Sequence, residues 1–285
     1  MSAFANDDDD AEFEVPDEEK LAIATHFLLS SPIGEFDDIL ADVKNMLPEN
    51  LLTDAHLENI AQKYNVEQLT TVSTPQGGRM IICNEGRVDS THFIDAAAGV
   101  VRGIDHVKRA CIEGDEQPHA AGPLEDQRAE LQAALAKYIE NQYGASAGAC
   151  GVYESGSNLV VVISGVKLNL RNFWGGNWRS TFTVNPGDRT LSGNVKIRIH
   201  YFEDGNVQMV SNKDVPSTPF SSGDMAAAAA AIAKEESAIQ DSLEQMYINM
   251  AQETFKDMRR ILPISKQKMD WTGAQTMLAR GFAGE

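Results

Sequence analysis

The sequence predicts an α+β fold. N-terminal antiparallel helices are followed by a small β region, then by a five-stranded antiparallel sheet covered by a long C-terminal helix, and last by a mobile amphipathic tail. Three observations carry this expectation. Apolar residues recur at helical spacing over residues 17–66, alternate with polar ones between residues 166 and 201, and return to helical spacing after residue 224.

Residues 1–16 read as a disordered acidic leader, since the first 20 residues hold nine acids and one lysine, with Asp7, Asp8, Asp9 and Asp10 in a row. Segment 17–66 is a helical bundle. Pro16 and the acids Asp17, Glu18 and Glu19 open a helix that Ser30, Ser31 and Pro32 close. Phe36, Ile39, Leu40, Val43 and Leu47 form one apolar stripe before Pro48, and a third helix starts at Thr53 or Asp54 with Leu57, Ile60, Ala61 and Tyr64 on one side. The short connections make these helices antiparallel neighbours.

Segment 67–122 breaks into short strands, QLTTVST, RMIICN and THFID, with DEQPHAAGP as a surface loop. Leu124, Leu131, Leu135, Tyr138 and Ile139 mark a helix over 123–144 that closes at Gly144. Segment 149–215 is the sheet. Val166, Leu168 and Leu170 alternate with Lys167, Asn169 and Arg171, and Leu191, Val195, Ile197, Ile199 and Tyr201 alternate with polar partners. NPGD and EDGN supply turns, giving a meander of about five strands with one apolar face. After the breaker PSTPFSSGD, segment 222–262 holds the long helix, which from Asp224 to Leu262 runs about 58 Å at roughly 1.5 Å per residue. Its alanines at 226–231 allow close approach to the sheet, or simply favour helix. A helix this long leaves room for a second subunit to supply part of the surface it crosses.

Composition narrows the function. A net charge of −18 over 285 residues argues against a general binder of nucleic acid or membrane, both polyanions. Cys83, Cys111 and Cys150 are far apart and odd in number, as in a reduced, cytosolic chain, and there is neither a signal peptide nor an apolar run of about 18 residues. Gly144-Ala145-Ser146-Ala147-Gly148 matches the G-x-S-x-G nucleophile elbow, but a helix precedes it and a strand follows, the reverse of what the elbow requires. The histidines show no metal-ligand spacing, and no phosphate-cradling glycine loop occurs. The expectation is a binding protein, with no enzyme activity and no cofactor.

The acidic chain turns basic only near its end. Between residues 256 and 268, Lys256, Arg259, Arg260, Lys266 and Lys268 face the single acid Asp257, a local charge of +4. Phe255, Met258, Ile261, Leu262, Ile264, Met269 and Trp271 run among them, and Pro263 stops or kinks the helix so that 263–285 forms a separate amphipathic tail. Three uses fit this pattern: a helix docked on its own core, a helix lying on anionic lipid, or a recognition segment for a protein.

The tail TFKDMRRILPISKQKMDW resembles that of the alpha subunit of the F-actin capping protein (CapZ) family. RNFWGGNWRS is similar to the family's aromatic signature, HYFEDGNVQMVSNKDV to its next strands, and SSPIGEF with DDILADV to its N-terminal helices, a likeness covering about residues 17–271. The chain departs at Gly175 and Asn177, where the family has asparagine and arginine, and at Lys266, where arginine is usual. The resemblance implies an obligate heterodimer with a beta subunit of similar fold, in the cytoplasm at the actin cytoskeleton. It also implies that the filament barbed end is bound by the tail. Lys256, Arg259, Arg260, Lys266 and Lys268 would supply attraction, and Ile264, Met269 and Trp271 apolar anchors. Asn172, Phe173, Trp174, Trp178 and Arg179 are expected at the beta subunit, with ordinary core packing as the alternative for the two tryptophans. Phosphoinositides and capping-protein regulators are further partners the family implies. The alternatives from other classes are a phosphoinositide-binding membrane adaptor and a cap on the actin-related filament of dynactin.

Overall fold

The computed structural model describes residues 15–144, 146–202, 207–221, 223–249 and 252. By contact the chain divides into two units, Met1–Ala231 and Ile232–Glu285.

The first unit opens with α1 (Asp17–Ser30), α2 (Phe36–Met46) and α3 (Asp54–Gln68). The Thr53 hydroxyl accepts from the His56 N–H at the start of α3, replacing one of the partners that a helix end lacks. At the other end Leu69 turns left-handed (φ 50°), and the Thr70 N–H returns to the Asn65 carbonyl at 2.9 Å, a closing turn of the Schellman kind. The predicted stripes meet in one core of Leu28, Phe36, Val43, Ile60, Ala61 and Tyr64, with the Phe36 and Tyr64 rings 4.6 Å apart.

Next come a hairpin of β1 (Thr71–Ser73) and β2 (Arg79–Ile81) and a three-stranded sheet of β3 (His92–Asp95), β4 (Val100–Asp105) and β5 (Ala110–Pro118) in that order. Val72, Met80, Ile82, Phe93 and Ile104 form their core. The reading of DEQPHAAGP as a loop is corrected here, because its first four residues belong to β5. β5 is an edge strand exposed along most of its length, so no apolar face imposes the alternation by which a strand is recognised. Arg102 of β4, 2% exposed, donates to Asp95 at 3.0 Å, to Glu116 of β5 and to Gln76 at 2.7 Å, which satisfies the charge that burial would otherwise penalise.

After α4 (Glu125–Tyr143), closed at Gly144 with φ 80°, the chain forms the main sheet. It consists of β6 (Gly148–Ser155), β7 (Asn158–Asn169), β8 (Trp174–Asn185), β9 (Thr190–Tyr201) and β10 (Val207–Pro219), all antiparallel, in the order β10-β9-β8-β7-β6. The register, Leu159 opposite Val184 and Val184 opposite Leu191, sorts the side chains. Leu159, Val161, Ile163, Phe182, Val184, Leu191, Val195 and Ile197 share one face and are all buried. Each such apolar side chain contributes about 1.5–3 kcal/mol on burial. Ser164, Asn177, Arg179, Arg198 and His200 share the other face.

One expectation at the C-terminal side changes. PSTP is not a breaker but the end of β10, where Pro216 falls in a register shift between Val215 and Thr218. An outermost strand tolerates the missing N–H that an inner strand would not. The long helix, expected over 222–262, is described as α5 (Met225–Asn249), 25 residues or about 37 Å. The rest of that segment, apart from residues 223, 224 and 252, lies outside the described residues. Within the first unit the Met225 N–H donates to the α4 carboxylate of Glu130 at 3.2 Å.

Candidate subunit and filament interface

The two edges of the main sheet are treated differently. At β6, the Gln132 amide of α4 donates to the Cys150 carbonyl at 3.2 Å and accepts from the Val152 N–H at 2.8 Å. These backbone groups lie two residues apart on one side of the strand, so one side-chain amide stands in for part of a sixth strand. Arg128, clamped by Glu125 at 2.7 Å, reaches the Ala96 carbonyl beside it. No side chain is seen to guard the backbone of β10 in this way among the described residues. Among the described residues it pairs with β9 alone, and it carries Val207 and Val210 at 62% and 72% exposure. Its 13 residues offer about 43 Å of edge, an open template for another strand.

The five residues expected at the beta subunit separate into two groups. After a single helical turn (Leu170–Asn172), Phe173 adopts φ 58° and stands 41% exposed. A bulky side chain rarely takes that conformation. The Phe202 N–H holds the Phe173 carbonyl at 2.9 Å, and the two rings meet edge to face at 5.8 Å. Asn172 is exposed beside it, and half-buried Trp174 pairs across the strands with Tyr201. These three form an outward aromatic corner.

Trp178 and Arg179 point into the chain. Trp178 is buried, its indole N–H donating to the Ser180 hydroxyl at 2.8 Å. Arg179 donates to the Glu67 carbonyl in the last turn of α3 at 2.7 Å. Its role is shared by a seam of residues on the polar face of the sheet. Arg198 donates to the Ser30 carbonyl at 2.8 Å, Ser164 to Leu69 at 2.8 Å, and the His200 ring sits 2.9 Å from the Glu35 carboxylate. Neither α1 nor α3 has a basic residue in its own last turn. The sheet supplies the cations that a helix C-terminus favours. Sequence reasoning missed this seam and Gln132; the only trace of either is polar residues on an alternating strand or a helix.

Lys256, Arg259, Arg260, Ile264, Lys266, Lys268, Met269 and Trp271 lie outside the described residues. So does the EDGN turn. Among the described residues no group of three or more His, Cys, Asp and Glu side chains could hold a metal, and no helix is long and apolar enough to cross a membrane. Ser146 of the G-x-S-x-G match sits in the turn between α4 and β6. The titratable cluster is a clasp: the two nitrogens of His92 lie 2.9 Å from Asp89 and 3.2 Å from Asp115 of β5. The bond from Asp89 raises the His92 pKa above its ordinary value, and backbone N–H bonding from Thr91 helps hold Asp89 down to about 2.

The fold and its surfaces define a class: an α+β chain whose meander is plugged at one edge by its own helix and, among the described residues, unpaired at the other. Residues 24–280 match the family model described as F-actin capping protein alpha subunit. The chain belongs to that family. It is 32% identical over 259 residues to the F-actin-capping protein subunit alpha of Chaetomium thermophilum (88% of this chain, 90% of the relative). It is 31% identical over 273 residues to that of Caenorhabditis elegans (92% and 96%), and 33% over 267 to that of Dictyostelium discoideum (89% and 94%). Among solved structures it is similar to a homodimeric actin capping protein alpha subunit from Plasmodium berghei, with TM-score 0.70, 25% identity, and 86% of this chain and 98% of that one covered.

Proposed function

We propose that this chain is the alpha half of a heterodimeric cap, acting as a binding subunit rather than a catalyst in the cytoplasmic actin cytoskeleton. It blocks addition and loss of subunits at the filament barbed end. The observation that carries this is the extent of the family match, which runs through the basic segment to residue 280. Actin is acidic, and a body with this chain's surplus of carboxylates does not attract it. Lys256, Arg259, Arg260, Lys266 and Lys268 supply the local attraction, while Ile264, Met269 and Trp271 enter an apolar cleft and slow dissociation. Phosphoinositide headgroups compete for the same cations. The beta subunit adds its sheet to the open edge of β10, and Asn172, Phe173 and Trp174 give the contact an aromatic anchor. Trp178 and Arg179 act from inside the chain, bracing the strand that carries that anchor.

The test is actin elongation from filament seeds with heterodimer bearing Lys256→Glu and Arg260→Glu. Weakened capping with heterodimer intact is expected, and equal loss of both refutes the reading. A second reading, favoured by the homodimeric alpha subunit from Plasmodium berghei, has β10 pair with a second copy of this chain. Light scattering of the chain expressed alone separates the two, since a stable dimer supports the second and a monomer the first. Liposome sedimentation without actin tests the membrane-adaptor alternative, and capping of dynactin's actin-related filament tests the other.

A further inference from the structure

We propose that a cavity of ≈ 610 Å3, where the α1–α2 connection, β1, β2, the β4–β5 turn and the end of β7 converge, binds a small anion carrying more than one phosphate group. Arg79, Lys108 and Arg109 line it, and no aspartate or glutamate does, in a chain with 42 acids against 24 lysines and arginines. Lys167 also borders it. Strand alternation sends its side chain to the opposite face from Val166 and Leu168, so it contributes backbone only.

The three cations are set differently. Arg79 has no carboxylate partner among the described residues; its Nε donates to the Thr71 hydroxyl at 3.2 Å and an Nη to the Thr71 carbonyl at 3.4 Å. Arg109 is left-handed (φ 54°), with its guanidinium 5.6 Å from the centre of the Phe36 ring and one nitrogen on Asp37. That leaves donors free on a group that has five. Lys108 pairs with Asp105 at 3.0 Å but is 79% exposed at its side chain. Both carboxylates lie outside the cavity lining.

Thr70 also lines the cavity; its hydroxyl oxygen is sealed from solvent and has no hydrogen-bond partner among the described residues. A rare backbone conformation at Arg109 and an unpartnered hydroxyl in the same wall are features met where ligands bind. Two guanidinium forks, an ammonium and hydroxyls match the oxygens of phosphate esters rather than a single carboxylate. The volume falls in the range of small-ligand sites, and every lining residue belongs to the first unit.

The test uses the heterodimer with the alpha chain cut after Thr254, so that Lys256, Arg259, Arg260, Lys266 and Lys268 do not contribute. Inorganic pyrophosphate is titrated by calorimetry, and vesicles of phosphatidylcholine with phosphatidylinositol bisphosphate are tested by sedimentation. Binding is expected, and Arg79→Gln lowers it by about tenfold or more, the effect of losing a charge-assisted bond. Lys108→Gln, at an exposed position that leaves folding intact, lowers it by a smaller factor. Pyrophosphate binding without vesicle retention identifies a soluble ligand. Vesicle retention that both variants weaken identifies a lipid headgroup. Unchanged binding by both variants, or none by the parent in either arm, overturns the proposal.

Discussion

Arg179 decides between a contact with the beta subunit and a brace within the chain. Its Nη1 donates to the Glu67 carbonyl at 2.7 Å, across 112 residues of sequence. A hydrogen bond from a charged group contributes about 1.5–3 kcal/mol, and a cation at a helix C-terminus adds about 0.3–1 kcal/mol. Arg179 is half-buried rather than sealed, so about 2 kcal/mol is the expected loss in Arg179→Ala. For a body of this size each kcal/mol lowers Tm by about 2–4 °C, giving a drop of about 4–8 °C. Calorimetry of the heterodimer reads that drop, and titration with isolated beta subunit reads affinity. The brace predicts a lowered Tm with affinity changed less than about threefold. An unchanged Tm with tenfold weaker subunit binding refutes it and restores the contact role.

Four further outcomes follow from the same geometry. Val207→Lys with Val210→Lys places charge on the open edge of β10; losing two exposed valines, each about 1.5 kcal/mol if buried by a partner, weakens the heterodimer about a hundredfold without altering the circular dichroism of the chain. Phe173→Asn keeps a residue that accepts the left-handed backbone while removing the ring, so subunit affinity falls and Tm holds; a fall in Tm alone shows the corner to be packing only. Because the folded pKa of His92 is raised, its clasp stabilises fully below the unfolded value of about 6.5 and that contribution is lost as pH rises through the folded pKa. His92→Asn removes that part of the pH dependence, as urea melts across the window will show. Burial pushes the Cys83 and Cys150 thiols up to about 12, so maleimide modifies Cys111 first in the native protein, as peptide mapping reads.

What the sequence makes legible is whatever repeats. The stripe Phe36, Ile39, Leu40, Val43 and Leu47 and the alternation from Leu191 to Tyr201 each report one buried face, and both elements form where that spacing puts them. β5 breaks the rule because little in EGDEQP is buried, and β10 runs through Pro216 because an edge needs no N–H on its outer side. Long-range polar pairing leaves no local trace. His200 meets Glu35 from 165 residues away, and Gln132 caps a strand 18 to 20 residues on. The aromatic signature therefore divides in a way that composition does not reveal, with Phe173 outward and Trp178 inward.

The central claim, that the basic segment and not the body holds the filament end, is tested most directly by actin elongation from seeds. The heterodimer is used intact and with the alpha chain cut after Thr254, which removes the whole basic segment, at concentrations where both are dimeric. The account predicts that intact protein arrests barbed-end growth and that the cut form leaves growth close to the rate without protein. Equal arrest by both forms contradicts it, and places capping in the beta subunit or in the body of this chain.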